Sequence, residues 1–279
     1  MPELPEVEIT ARLLDGALAG ARVESTLAPG VNALKTFDPP LHALEGTRIA
    51  SVGRRGKHLL VAFDCGLVLL LHLMSAGRLQ LYDERAGLRD RTSRVLIRLE
   101  GGRELRLREF GTKQAAWAKL LRAEAVEEDP ALATLGPEGW PDPPPLRPLL
   151  SQPRPLHSVL RDQRAIAGIG RSWADEILWE ARLSPFKRGA DLDDEEVARL
   201  RAAVVARLGD AIARYAATLT LPLPDKLPLR VHRHEGEPCP RCGERLGAVH
   251  FEEYVIAYCP ACQTGGKLLK DRRLSRLLK

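Results

Sequence analysis

Four cysteines set the tightest limit on how this 279-residue chain can fold: Cys239-Pro-Arg-Cys242 and, after sixteen intervening residues, Cys259-Pro-Ala-Cys262. Two Cys-x-x-Cys turns at that separation meet only if the chain between them doubles back as a hairpin. Four thiolates gathered in this way suit one tetrahedral zinc ion. The spacing therefore predicts a single structural zinc held by Cys239, Cys242, Cys259 and Cys262. The remaining cysteine, Cys65, is expected to be a buried free thiol, and disulfides are not expected in a chain that reads as cytosolic.

Periodicity divides the rest. Leu4, Val7, Leu14 and Leu18 recur at helical spacing, with Gly20 as a stop. After them the period becomes that of strands. The runs 59–63 and 67–73 are joined by Asp64-Cys65-Gly66, and 95–99 and 104–110 are joined through Gly101-Gly102, so both pairs read as hairpins. The first 125 residues are thus one helix followed by a mostly antiparallel β domain. Between Pro130 and Pro155 lie nine of the 21 prolines, which predicts a stiff connection. Helical signals then dominate. A short helix starts at Pro155, another runs over 173–181 after Gly168-Ile169-Gly170, and a long one starts at Asp193. In the long one Val197, Leu200, Val204, Leu208, Ile212 and Tyr215 share a face that reads as core, with no chemistry attached.

Charge is informative mainly through its distribution. The chain carries +5 overall, yet residues 266–279 alone hold six Lys or Arg against one Asp. Such a tail reads as a solvated end that also has the charge to touch phosphates. No apolar run approaches the ~20 residues of a membrane span. A soluble monomer in the cytoplasm, associated with the nucleoid, is expected.

The chemistry is concentrated at Met1-Pro2-Glu3-Leu4-Pro5-Glu6-Val7-Glu8. Trimming of the initiator methionine before a small residue leaves Pro2 with a free secondary amine. An α-amino group titrates near 7.7 to 8.0, far below a lysine, and the positive end of a helix starting at Pro5 disfavours its protonation further. Glu3, Glu6 and Glu8 supply carboxylates that can exchange protons. Attack of such an amine on a sugar C1′ gives a Schiff base. The turn Gly53-Arg54-Arg55-Gly56-Lys57 is too short for a triphosphate-binding loop, and His58 follows the lysine, so nucleotide triphosphate binding is rejected.

Pro-Glu-Leu-Pro-Glu-Val-Glu, the Arg-Arg-Gly-Lys turn and the terminal cysteine hairpin resemble the formamidopyrimidine-DNA glycosylase and endonuclease VIII family. That resemblance implies an α+β multidomain fold: an N-terminal antiparallel β-sandwich with an N-terminal helix, a helical helix-two-turn-helix domain and a C-terminal zinc β-hairpin. Along this chain the expected bounds are 1–125 for the catalytic sandwich, 126–154 for the Pro-rich linker and 155–230 for the helical domain. The zinc hairpin then takes 231–265 and the basic tail 266–279.

The resemblance also implies roles. Pro2 would be the Schiff-base nucleophile, Glu3 the proton shuttle at the deoxyribose ring oxygen and Glu6 an orienting carboxylate. Lys57 would lie against a phosphate of the damaged strand. A nucleotide attacked at C1′ has to leave the duplex. Met74 and Phe110 would fill its place in the stack, and Arg108 would hydrogen-bond the partner base. Arg161-Asp162-Gln163, Gly168-Ile169-Gly170 and Trp173-Ala174-Asp175-Glu176 look like the family's helix pair, whose glycines let amides approach a phosphate.

Three positions depart from the family pattern: Arg171 where asparagine is usual, His157 where lysine is usual and Tyr254 where arginine is usual. All three fall among the phosphate contacts, whereas Pro2, Glu3 and Lys57 are kept. This implies intact chemistry with an altered grip on duplex DNA that contains a damaged base or an abasic site. The leading expectation is a bifunctional DNA glycosylase and abasic-site lyase for oxidised bases, cutting by β,δ-elimination. The alternative is a damage-binding protein of the same fold with little turnover.

Overall fold

The computed structural model describes residues 1–30, 32–87, 90–110, 114–221, 228–251 and 254–269. Residues 270–279, which make up most of the expected basic tail, lie outside the described residues. Helix α1 spans Leu4–Leu18, the interval its apolar spacing predicts, with Pro in the first turn. Gly20 follows at φ +77°, a left-handed conformation that ends a helix without penalty.

Eight strands come next: β1 (Val23–Leu27), β2 (Ile49–Arg55), β3 (His58–Phe63), β4 (Leu67–His72), β5 (Gly77–Tyr82), β6 (Ser93–Leu99), β7 (Glu104–Glu109) and β8 (Trp117–Arg122). They form two four-stranded sheets, ordered β2-β3-β4-β8 and β1-β6-β7-β5, with antiparallel neighbours throughout. One apolar core joins them. Leu59, Val61, Leu69 and Leu71 from the first sheet and Leu79, Val95, Ile97 and Leu107 from the second meet Val7, Leu14 and Leu18 of α1. This is the antiparallel sandwich, with α1 packed into the same core. Truncating one of these leucines to alanine typically costs about 2–5 kcal/mol.

The proline-rich stretch carries two single-turn helices, α2 (Pro130–Ala133) and α3 (Leu146–Leu149). After it come α4 (Leu156–Leu160), α5 (Arg171–Glu180) and the 25-residue α6 (Asp194–Thr218). The hairpin β9 (Gly247–His250) and β10 (Val255–Tyr258) and the short α7 (Pro260–Thr264) complete the described chain. The residues fall into two compact units, 1–134 with 212–226 and 135–211 with 227–279, so α6 contributes to both. Among the described residues no helix is long and apolar enough to cross a membrane.

One expectation is corrected. Cys65 is exposed, because it sits at the tip of the β3–β4 turn next to Gly66 at φ +77°. A hairpin tip has no second layer to cover it.

Candidate active site and nucleic-acid interface

The start of α1 is built around Glu6. Its Oε2 accepts a hydrogen bond from the Glu3 N–H at 2.8 Å, the reach-back of a capping box. Its Oε1 accepts from the Tyr215 hydroxyl at 2.9 Å. Pro2, Glu3 and Glu6 are all buried, while Met1 is exposed. Glu8 is employed differently: its two oxygens accept from Arg12 Nε and Arg54 Nε, both at 2.6 Å. The third carboxylate of the octapeptide is thus spent on two guanidiniums.

Lys57 lies in the two-residue connection between β2 and β3, behind Gly56 at φ +56°, and is 7% exposed. The register of the sheet sets three rings beside it, because His58 pairs with His72 across β3–β4 and His72 with Trp117 across β4–β8. The His58 and His72 ring centroids are 4.7 Å apart, and His72 stacks on Trp117 at 5.9 Å. Burial is the main cause that lowers both histidines to about 4, and Lys57 adds to it. For His72, His58 adds to it as well.

Both rings are therefore neutral near pH 7, and His72 Nδ1 accepts the Met74 N–H at 3.1 Å. In the unfolded chain the rings titrate near 6.5, so the unfolded state takes up protons first as pH falls. Stability that is fully present above about pH 6.5 is lost on the way down to pH 4, by up to about 3 kcal/mol per ring. The urea midpoint should fall between pH 6.5 and 5. A His58→Asn, His72→Asn double variant should show a much flatter profile over that interval, and an equal fall would contradict the assignment.

Met74 follows β4 in a turn closed by Gly77 N–H to Leu73 O at 2.8 Å, and takes φ +47°, an uncommon conformation for a side chain of its size. A Cβ on Gly77 would lie 2.4 Å from Leu73 O, so the closure requires glycine. Phe110 N–H donates to Ala76 O at 3.3 Å, which ties the end of β7 to this turn. The Phe110 ring is 56% exposed, a large apolar surface presented to solvent. Arg108 stacks its guanidinium 4.7 Å from that ring and is braced from behind. Its Nε donates to Thr92 Oγ1 at 2.9 Å, an η nitrogen donates to Tyr82 Oη, and Thr92 donates on to Asp90 at 2.7 Å.

In the other unit α4 and α5 are joined by a turn stapled by Gln163. Its Nε2 donates to the carbonyls of Arg161 and Ile169 at 2.9 and 2.6 Å, and its Oε1 accepts the Gly168 N–H at 3.0 Å. The amide of Gly168, at φ +96°, is therefore already engaged, and Gly170 is the N-cap of α5. Asp175 and Glu176 are fully buried. Glu176 Oε1 accepts from three successive backbone amides, Arg230, Val231 and His232, and Asp175 Oδ2 accepts from His232 Nδ1 and the Ala257 amide.

His157, Arg171 and Tyr254 all belong to this unit. The Tyr254 ring lies parallel to His157 at 6.4 Å and to Phe251 at 4.5 Å. The guanidiniums of Arg171 and Arg161 sit 4.6 and 4.5 Å from its centroid, within cation–π range. His157 is 1% exposed, with its Nε2 3.3 Å from Asp175 Oδ1.

The thiols of Cys239, Cys242, Cys259 and Cys262 lie within 4.8 Å of one another. Two of the separations are 3.5 and 3.4 Å. A tetrahedral ion with ~2.3 Å arms to sulfur needs edges of about 3.8 Å, so the four cysteines can hold one metal ion. Burial opposes ionisation of Cys239, yet the amides of Arg241 and Cys242 and the Trp179 indole, 3.3 Å from Sγ, outweigh it and bring the thiol down to about 6. Gln263, next to the last cysteine, fixes the end of β10 by accepting the Cys259 N–H at 2.7 Å and donating to Leu183 O at 2.9 Å.

Residues 1–112 match the family model of the formamidopyrimidine-DNA glycosylase N-terminal domain, and residues 146–222 that of the formamidopyrimidine-DNA glycosylase H2TH domain. The chain belongs to the formamidopyrimidine-DNA glycosylase family. The protein of that name from Moorella thermoacetica is 38% identical, over 89% of this chain and 94% of its own length. The one from Thermus thermophilus is 36% identical, over 95% and 100%. Among solved structures, the MutM (Fpg) protein from Thermus thermophilus aligns with a TM-score of 0.79 at 33% identity, covering 96% of this chain and all of that one. Lactococcus lactis Fpg, solved in complex with DNA containing an abasic site, aligns with a TM-score of 0.83 over 94% and 99%; at 24% identity it speaks for the fold alone.

For a formamidopyrimidine-DNA glycosylase family chain, the structure groups the sequence-derived candidates in two sets. Pro2, Glu3, Glu6, Lys57, Met74, Arg108 and Phe110 belong to the first unit, and His157, Gly168, Gly170, Arg171, Tyr254 and the four cysteines to the second. Sequence reasoning passed over Tyr215, whose place in the apolar stripe of α6 reads as core. It also assigned no role to Arg161 and Gln163 beyond their motif.

Proposed function

We propose that this chain is a bifunctional DNA glycosylase and abasic-site lyase acting on oxidised bases in duplex DNA. The observation that carries the reading is Glu6. Its two oxygens take the Glu3 amide and the Tyr215 hydroxyl, so the backbone adjoining Pro2 is fixed at the start of α1. Once Met1 is removed, the Pro2 nitrogen donates its lone pair to C1′, the base departs with the bonding electrons of the glycosidic bond, and the N–H proton of the alkylated nitrogen is given up to the departing base. Glu3 protonates the deoxyribose ring oxygen as its bond to C1′ opens, leaving an iminium between Pro2 and C1′. Loss of a C2′ proton expels the 3′ phosphate, and a second elimination expels the 5′ phosphate.

Lys57 lies against a phosphate of the damaged strand in this reading. Met74 and Phe110 occupy the gap left by the extruded nucleotide, and Arg108, already braced by Thr92 and Tyr82, hydrogen-bonds the partner base. Arg171, Tyr254 and Gly170 contact backbone phosphates, Gly168, whose amide is held by Gln163 Oε1, shapes the turn beside them, and His157 contributes from beneath the Tyr254 ring. The cysteine cluster holds one zinc ion, whose part is to fix the β9–β10 hairpin. The site of action is the cytoplasm, at the nucleoid.

Borohydride tests the reading, because it reduces an iminium to a stable tertiary amine. Incubation with a duplex containing an oxidised base should give a covalent protein–DNA adduct, and without borohydride the strand should be cut on both sides of the sugar. Tight binding to abasic-site DNA with neither adduct nor scission would support the binding-protein alternative instead.

A further inference from the structure

We infer that Tyr215 is a positioning residue for the N-terminal nucleophile, acting through Glu6. The inference rests on the catalytic reading above. Tyr215 lies three residues from the end of the 25-residue α6, is 2% exposed, and directs its hydroxyl to Glu6 Oε1 at 2.9 Å across 209 residues of sequence. A buried tyrosine hydroxyl needs some partner, and ordinary core packing supplies one from the nearest carbonyl. The partner here is a carboxylate at the start of α1.

Helix capping does not account for this contact. The capping box uses only Glu6 Oε2, which accepts the Glu3 N–H at 2.8 Å. Packing does not account for it either, since phenylalanine would fill the same volume beside Ile212 and Leu208 on that face of α6. The hydroxyl's specific effect is to fix the Glu6 carboxylate from its second oxygen. With both oxygens engaged, the carboxyl group cannot rotate without giving up a charge-assisted hydrogen bond.

The consequence reaches Pro2 through one covalent link. The Glu3 N–H belongs to the planar peptide unit that begins at the Pro2 carbonyl carbon. Holding that N–H on Glu6 sets the plane, and rotation about the single Pro2 Cα–C bond is then what remains to aim the ring nitrogen. Tyr215, Glu6, the Glu3 amide and Pro2 thus form one chain of constraint.

The test compares the full-length parent with Tyr215→Phe, Glu6→Gln and the double variant. Three quantities are measured: the single-turnover rate of borohydride-trapped adduct on a duplex with a preformed abasic site, the affinity for a duplex bearing a reduced abasic-site analogue, and the melting temperature. Tyr215→Phe should trap about tenfold more slowly, the scale of one hydrogen bond to a charged group. Its affinity should stay within about twofold, because the hydroxyl touches no DNA in this assignment. In the Glu6→Gln background the same substitution should cost much less, because its target has gone.

A purely structural hydroxyl would lower the melting temperature and leave the trapping rate of the folded protein unchanged, which overturns the inference. Equal losses in both backgrounds also overturn it, since Tyr215 would then act by another route. A parent that forms no adduct overturns the catalytic reading and this inference with it. Equal adduct rates in parent and Tyr215→Phe overturn the inference alone.

Discussion

Protein whose N-terminus is kept blocked by an uncleaved extension before Pro2 should form no borohydride-stable adduct and leave lesion duplexes uncut. The loss expected is on the order of 10³-fold or more, because an amide nitrogen has no lone pair to give and nothing replaces a missing nucleophile. Binding should survive, since in the proposed reading Lys57, Met74, Arg108 and Phe110 hold the DNA and a blocked terminus leaves their side chains unchanged. Intact mass fixes the state of the terminus, gel-shift titration measures binding, and denaturing gels measure scission. Scission undiminished in a preparation with every terminus blocked would remove Pro2 from the mechanism.

Stripping the metal should have the next largest effect. Four thiols within 4.8 Å repel one another once ionised, and the neighbouring core of Trp179, Val231, Leu246 and two of the cysteines is small. Structural zinc contributes roughly 10–16 kcal/mol of apparent binding energy in isolated zinc-finger peptides, more than such a cluster supplies by burial. Native protein should release one zinc per chain on thiol modification. A Cys259→Ser variant should lose the fold of β9 and β10 and bind DNA on the order of 100-fold more weakly. The sandwich, with its separate core, should keep its strand signal in circular dichroism. Metal-free protein with native DNA affinity would show the hairpin to be dispensable for binding.

Local signals carried most of the fold. Helix α1 runs over the residues its apolar spacing predicts, and the hairpins β3–β4 and β6–β7 lie where runs of strand period flank turn glycines. The cysteine cluster was equally legible, since two short spacings and one long one leave little freedom. What stayed hidden depends on contacts between distant segments. Tyr215 sits on a stripe whose other members are core, and nothing near it in sequence points 209 residues back to Glu6. Glu8 could have been paired with Arg12 at the i, i+4 spacing, but its Arg54 contact needed the sheet. Cys65 differs: the Asp64-Cys65-Gly66 turn is legible in the sequence, and the exposure of the thiol follows from its place at the tip of that turn.

The sequence places residues 157, 171 and 254 together among the expected phosphate contacts, and in the structure they are neighbours: Arg171 lies over the Tyr254 ring and His157 runs parallel to it. Arg161 joins the same cluster, 4.5 Å from the ring centroid.

The bare Cα of Gly77 has a mechanical meaning. With Leu73 O where a methyl carbon would have to go, the turn around Met74 is cinched to its narrowest by the backbone itself, and the Phe110 amide laces it to the adjoining strand. In the proposed reading, a thioether mounted on so stiff a bracket would work as a stylus, meeting the double helix with its shape already set and leaving the yielding to the stacked bases.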